Sequence, residues 1–139
     1  MMKISKLLCK SFALLSLLLI ACSNTDDIQQ KVTEIDASQL KVRDPFIFYD
    51  ADTDYYYLHV NGTLKVKSYK SKDLLTWQEN GYSFLPSAGF WGKEDFWAPD
   101  FYKYEDKYYL FITLSAPGVK RGTSVLVSDR VTGTCLLYT

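Results

Sequence analysis

The stretch Arg43-Asp44-Pro45-Phe46-Ile47-Phe48-Tyr49 returns in altered form as Trp97-Ala98-Pro99-Asp100-Phe101-Tyr102. In both, an aspartate sits beside a proline, next to a short aromatic-rich run. Such runs fit a pleated, half-buried surface, so residues 45–49 predict a strand. Asp50-Ala51-Asp52-Thr53-Asp54 follows as a hairpin turn, and residues 55–60 as the partner strand. Asn61-Gly62 predicts a tight turn, since both residues tolerate positive φ. Residues 64–71 and 77–85 predict third and fourth strands, and no stretch carries a convincing amphipathic helical pattern.

The pattern then restarts. Phe101-Tyr102-Lys103-Tyr104, a turn at Glu105-Asp106-Lys107 and the run Tyr108-Tyr109-Leu110-Phe111-Ile112 repeat the first hairpin, with Tyr57-Leu58 and Tyr109-Leu110 lying 52 residues apart. Ser71-Lys72-Asp73 has a later echo in Ser128-Asp129. A unit of about four strands and roughly fifty residues is the size of a β-propeller blade. The expected fold is therefore all-β, a propeller of which residues 42–134 supply about the first two blades. Blades bury their faces on one another and close in rings of about four to eight, so the chain is expected to be part of a longer protein. The closing Cys135-Leu136-Leu137-Tyr138-Thr139 is what a transposase end used in sequencing libraries gives on translation. Residues 135–139 are accordingly expected to be a non-native tail.

The other end carries an export pattern. Lys3, Lys6 and Lys10 precede an apolar run over residues 12–20, too short to span a bilayer comfortably. Leu19-Ile20-Ala21-Cys22 resembles a bacterial lipobox, which predicts a signal over residues 1–21 and a lipid on Cys22. Multiple acyl chains on one cysteine suffice for stable anchoring without a membrane span. Ser23-Asn24-Thr25-Asp26-Asp27 resembles the acidic segment that some Gram-negative gut bacteria use to display lipoproteins on the outer-membrane surface. Residues 22–41 then read as lipidated cysteine and polar tether, since all aromatic residues but Phe12 and Tyr138 fall between Phe46 and Phe111. With Cys9 in the signal and Cys22 lipidated, Cys135 remains alone and no disulfide framework exists. The chain has 16 basic and 16 acidic residues. Loss of Lys3, Lys6 and Lys10 leaves it net acidic by three charges, which argues against a nucleic-acid partner.

Two acids at the starts of inner strands suit glycoside hydrolysis. An inverting pair needs a base on water and a protonated acid at the leaving oxygen, roughly 6.5–9.5 Å apart. The ordered series Arg43-Asp44-Pro45-Phe46, Tyr56-Tyr57-Leu58, Ser71-Lys72-Asp73-Leu74-Leu75-Thr76-Trp77, Trp97-Ala98-Pro99-Asp100 and Lys107-Tyr108-Tyr109-Leu110 resembles the opening of glycoside hydrolase family 43. The resemblance implies a five-bladed propeller of inverting enzymes acting on arabinose- and xylose-containing plant polysaccharides or oligosaccharides. It further implies Asp44 as general base and Asp100 as the carboxylate that orients the general acid and raises its pKa. The acid itself, a glutamate of a later blade, has no counterpart here, because neither Glu94 nor Glu105 stands in a matching motif. The chain alone is therefore expected to be inactive.

Plainer readings stand beside these. Asp44 before Pro45 also suits a residue that only opens a strand, and Asp100 shares that alternative. Arg43 is either a carboxylate partner or a solvated charge. Trp97, Trp91 and Phe46 are candidate substrate-binding residues, since an aromatic face stacks on a sugar ring; for Trp91, core packing is an equal alternative. Trp77 reads as packing, in a run one residue shorter than the sialidase Asp-box that locks blade strands. His59, the one histidine, reads as packed or at a rim rather than as a metal ligand. The chemistry requires no cofactor, and the resemblance implies a structural calcium ion on the propeller axis. The rival reading is a cell-surface propeller that binds glycans without cleaving them; a related five-bladed family acting on fructans or mannosides matches Trp97-Ala98-Pro99-Asp100 less well.

Overall fold

A computed structural model describes residues 33–133 and 135–137. The signal, the lipobox cysteine Cys22 and the acidic segment lie outside the described residues. Strands β1 (Glu34–Asp36), β2 (Phe46–Asp50), β3 (Tyr55–Gly62), β4 (Lys65–Ser71) and β5 (Thr76–Phe84) form one antiparallel sheet in the order β1-β5-β4-β3-β2. Strands β6 (Glu94–Tyr104), β7 (Lys107–Ala116), β8 (Val119–Ser128) and β9 (Leu136–Leu137) form a second in chain order. The two-unit repeat is thus two sheets, joined through the loop after β5.

The sheets meet face to face through aromatic residues that alternate inward along their strands, as a period of two requires. Phe48 packs edge-on against Phe101 and Tyr108, with ring centroids 5.6 and 6.2 Å apart. Tyr57, Val66, Phe84, Phe96, Leu110 and Leu126 complete this core. Each fully buried side chain of this size contributes about 1.5–3 kcal/mol of transfer free energy. Polar ties cross the same interface. The Tyr108 hydroxyl donates to Oδ1 of the fully buried Asp50 at 2.8 Å, and Lys103 pairs with Asp52.

The first sheet departs from the sequence expectation at two places. Among the described residues, strand structure is already present at Glu34, within the stretch expected to be tether. β1 pairs with β5, a 3₁₀ turn (Ala37–Gln39) follows, and Ala37 N–H donates to the Leu75 carbonyl at 2.8 Å. Ile35, Ala37, Leu40 and Val42 cover the outer face of the sheet over Leu58, Val60, Tyr69 and Trp77. The second departure is the turn between β3 and β4. Asn61 and Gly62 pair with Val66 and Lys65, so the turn is Thr63-Leu64, with Leu64 at φ 53°. This register buries Val66 completely, and a one-residue slip would turn it to the other face.

The Ser71–Trp77 run is a locking turn. Ser71 Oγ accepts from Leu74 N–H at 2.9 Å, Asp73 Oδ1 accepts from Leu75 and Thr76 N–H, and the Trp77 indole donates to the Leu74 carbonyl at 3.1 Å. Backbone donors from Thr76 and Leu75 hold the Asp73 carboxyl below its ordinary pKa. At the far end, Cys135 is fully buried, donates its N–H to the Ser83 carbonyl at 2.8 Å, and leads into β9. The expected tail is therefore in contact with the fold as far as Leu137; Tyr138 and Thr139 lie outside the described residues.

Candidate active site

Asp44 precedes β2 in the left-handed region, at φ 47°. Aspartate tolerates that region better than most residues, and the conformation turns the chain from the covering segment into the strand. Its carboxylate is 42% exposed and 3.4 Å from the Arg43 Nε. Arg43 is therefore a carboxylate partner. Its guanidinium also stands 5.6 Å from the centre of the Trp97 ring.

Trp97 reaches this position because β6 is bulged twice. Glu94 pairs with Ser115, Trp97 with Thr113 and Asp100 with Phe111, so on either side of Trp97 three residues of β6 oppose two of β7. Each bulge holds a residue at positive φ, Asp95 at 59° and Ala98 at 45°. Bulges bend a strand and re-aim its side chains. Here they let buried Phe96 and Pro99 flank a half-buried Trp97 whose ring borders a cleft of about 560 Å³, lined also by Lys41, Arg43, Asn61, Lys67 and Asp95.

Asp95 and Arg121, which carry no motif in the sequence, also belong to the surroundings of this indole. The Arg121 guanidinium lies 4.3 Å from the Trp97 ring centre. Asp95 Oδ2 accepts from Ser115 Oγ at 2.6 Å and from Arg121 Nε and Nη2 at 2.9 Å each. The Ser115 hydrogen bond first, and Arg121 after it, hold the Asp95 carboxyl below its usual range. Asp95 and Arg121 are 26 residues apart on different strands, a pairing no local motif announces.

Asp100 lies elsewhere. It is exposed and lines a separate hollow of about 710 Å³ with Tyr102, Tyr104, Tyr109, Phe111, Thr123 and Val125 on the outer face of the second sheet. Asp44 itself lines neither cavity, lying next to the Arg43 that lines the first, and the described residues do not bring Asp44 and Asp100 into one cleft. Phe46 packs into the core with its ring edge-on to Tyr102 at 5.2 Å. Trp91 is 38% exposed beside Phe90, outside the Trp97 cleft.

His59 is fully buried, stacked on Phe101 at 4.1 Å, with Nδ1 2.5 Å from Ser83 Oγ and Nε2 without a partner among the described residues. Burial pushes its pKa down to about 3, so it is neutral at ordinary pH. Among the described residues no group of three or more His, Cys, Asp and Glu is arranged to hold a metal ion. These residues alone do not fit the implied calcium ion.

Two stacked antiparallel sheets, repeated in sequence and meeting through an aromatic core, define a protein of the β-propeller type. The model for glycosyl hydrolases family 43 matches residues 37–135, and the chain belongs to that family. Among solved structures it is similar to an endo-arabinase from Bacteroides thetaiotaomicron, with 56% identity and a TM-score of 0.73 over 76% of this chain and 37% of that one. The fold also matches the alpha-L-arabinanase of Cellvibrio cellulosa at 23% identity and TM-score 0.58, over 73% of this chain and 35% of that one. The GH43_1 enzyme of Xanthomonas citri complexed with xylose matches at 16% identity and TM-score 0.63, over 78% of this chain and 35% of that one. The chain thus spans just over a third of the length of these proteins. No curated protein sequence matches it.

Proposed function

We propose that this chain is the opening part of an inverting glycoside hydrolase that cleaves O-glycosidic bonds in arabinose-containing polysaccharides or oligosaccharides. The observation that carries the reading is the 56% identity to an endo-arabinase across both sheets. Asp44 is assigned as general base: it removes a proton from the water that attacks the anomeric carbon, while a general acid protonates the leaving oxygen. Arg43 pairs with the Asp44 carboxylate, and Trp97 offers an indole beside Arg43 for the apolar face of a sugar. The acid is assigned to a glutamate beyond the described residues, since Glu94 is exposed at the start of β6 and Glu105 occupies a turn. The isolated chain is accordingly expected to leave aryl arabinofuranosides and xylosides intact. A structural calcium ion on the propeller axis of the full-length protein belongs to the same reading.

In the complete enzyme, Asp44→Asn keeps a side chain that tolerates positive φ and removes the base. The expected loss in kcat/KM is roughly 10²–10⁴-fold, with arabino-oligosaccharide binding retained. An unchanged rate would overturn the assignment and favour the glycan-binding propeller.

Asp100 is proposed, on its motif alone, to raise the pKa of the general acid by like-charge repulsion. Its removal lowers that pKa, so Asp100→Asn should move the alkaline limb of the pH–rate profile to lower pH. An unmoved limb would assign Asp100 to the packing of the outer face with Tyr102 and Tyr104.

Export belongs to the proposal as well, with a lipid on Cys22, anchoring to the cell envelope without a membrane span, and display on the outer-membrane surface. Among the described residues no helix is long and apolar enough to cross a membrane. Incorporation of labelled palmitate that is lost in Cys22→Ala is the expected result; equal labelling of both forms would remove the anchor from the reading.

A further inference from the structure

We propose that Asp95 and Arg121 are positioning residues for the Trp97 sugar platform, clamping its indole so that the approach to Arg43 and Asp44 is fixed. The inference rests on the proposed function for the identity of the ligand, an arabino-oligosaccharide, and on geometry for the clamp itself.

The geometry has three parts. Both bulges of β6 surround Trp97, which frees its side chain from the regular ladder and leaves its orientation to other contacts. Arg121 supplies one, a guanidinium 4.3 Å from the ring centre, while Arg43 approaches the same ring at 5.6 Å. Asp95 supplies the anchor. A single oxygen, Oδ2, takes both Arg121 bonds and that of Ser115, and its residue holds the left-handed conformation that opens the first bulge. A guanidinium presents its donors in a rigid fork and stacks flat on aromatic rings, which an ammonium does not.

The arrangement is more than a surface ion pair. An exposed pair alone contributes little to stability and serves no platform. Here the pair occupies ring surface on Trp97 and limits which part of the indole a sugar can reach. It connects β8 to Arg43 at the cleft edge through two side-chain contacts on one ring, and Arg43 in turn pairs with Asp44.

The test uses indole N–H resonances of the full chain, with the Trp97 signal assigned by its loss in Trp97→Phe. Arg121→Ala, on an exposed strand position, should shift the Trp97 resonance and leave that of buried Trp77 in place. Arabino-oligosaccharide titrated against the Trp97 signal should bind about fivefold more weakly to Arg121→Ala and to Asp95→Asn. The double variant should bind no worse than the weaker single variant, because the two residues act as one unit. Arg121→Lys should recover only part of the affinity.

Sugar binding by the parent chain that is matched by Arg121→Ala would overturn the clamp and leave the functional reading standing. A Trp97 resonance unmoved by sugar in the parent chain would sink the platform and the clamp's purpose, while the assignment of Asp44 stands or falls on its own test in the complete enzyme. A Trp97 resonance unmoved by Arg121→Ala would refute the stacking directly, whatever the sugar does.

Discussion

The two hairpins at the heart of the molecule share a sequence pattern and differ in regularity. From Phe46↔His59 to Asp50↔Tyr55, β2 and β3 keep one unbroken register, while β6 and β7 slip twice within the first seven residues of β6. The regular hairpin delivers its carboxylate, Asp44, from outside the strand and spends its own residues on packing. The bulged one delivers Asp95 and Trp97 from within. A straight ladder fixes a core, and a bulged ladder aims side chains. One repeat can serve as foundation for the other.

The place where the first leans on the second is His59, paired with Phe46 on β2 and stacked on Phe101 of β6. Its displaced pKa makes this the comparison's most breakable point. The unfolded chain takes up the imidazole proton near pH 6.5, the folded one only near 3. Between those values the unfolded state binds more protons, so stability is full above about pH 6.5 and falls as pH drops toward 3. The expected loss across that window is several kcal/mol, read as the urea midpoint against pH. His59→Leu should flatten this limb. Parallel pH profiles for the two proteins would show that the contact between the hairpins is not governed by this group.

Next in size is the buried hydroxyl–carboxylate tie between the sheets. Asp50→Ala leaves the Tyr108 hydroxyl without its acceptor and Thr53 without two bonds, and should cost about 3 kcal/mol in urea unfolding. Tyr108→Phe should cost less, and the two changes should be strongly non-additive. Additive losses would mean that Asp50 serves its own turn and not the second sheet.

Asp50 also marks the limit of what the chain's order reveals. As one of three aspartates in a turn it reads as turn chemistry, which it performs toward Thr53, but its other oxygen bridges to a residue 58 positions away. Strand identity, both main hairpins and the 52-residue offset were legible, because aromatic alternation and turn residues are local signals. Residues 34–42 were not: β1 is three residues long, and the few apolar side chains of the segment, Ile35, Ala37, Leu40 and Val42, lie among polar neighbours. Asn61-Gly62 misled because its turn preference competed with burial of Val66, and burial won. The bulges around Trp97 left no trace beyond Pro99, and the Asp95–Arg121 clamp joins strands that only the folded sheet brings together.

The smallest expected effect separates turn from bulge most cleanly. Leu64 and Ala98 are both non-glycine residues at positive φ, at 53° and 45°. Holding such a residue left-handed costs about 1–2 kcal/mol, and glycine removes that cost while adding about 0.5–1 kcal/mol of unfolded-state entropy. Leu64→Gly and Ala98→Gly should therefore each gain about 0.5 kcal/mol, measurable as a small rise in unfolding midpoint. Their consequences for the cleft should differ. Leu64 closes a hairpin turn and lines the Trp97 cleft from outside β6, so its replacement should shift the Trp97 indole resonance less than a change within the bulge does. Ala98 lies in the second bulge, between Trp97 and a proline that restricts it, and glycine there loosens the aim of the ring, so the resonance should shift or broaden. If both variants leave Trp97 untouched, the bulge does not steer the indole and the clamp of Arg121 does so alone.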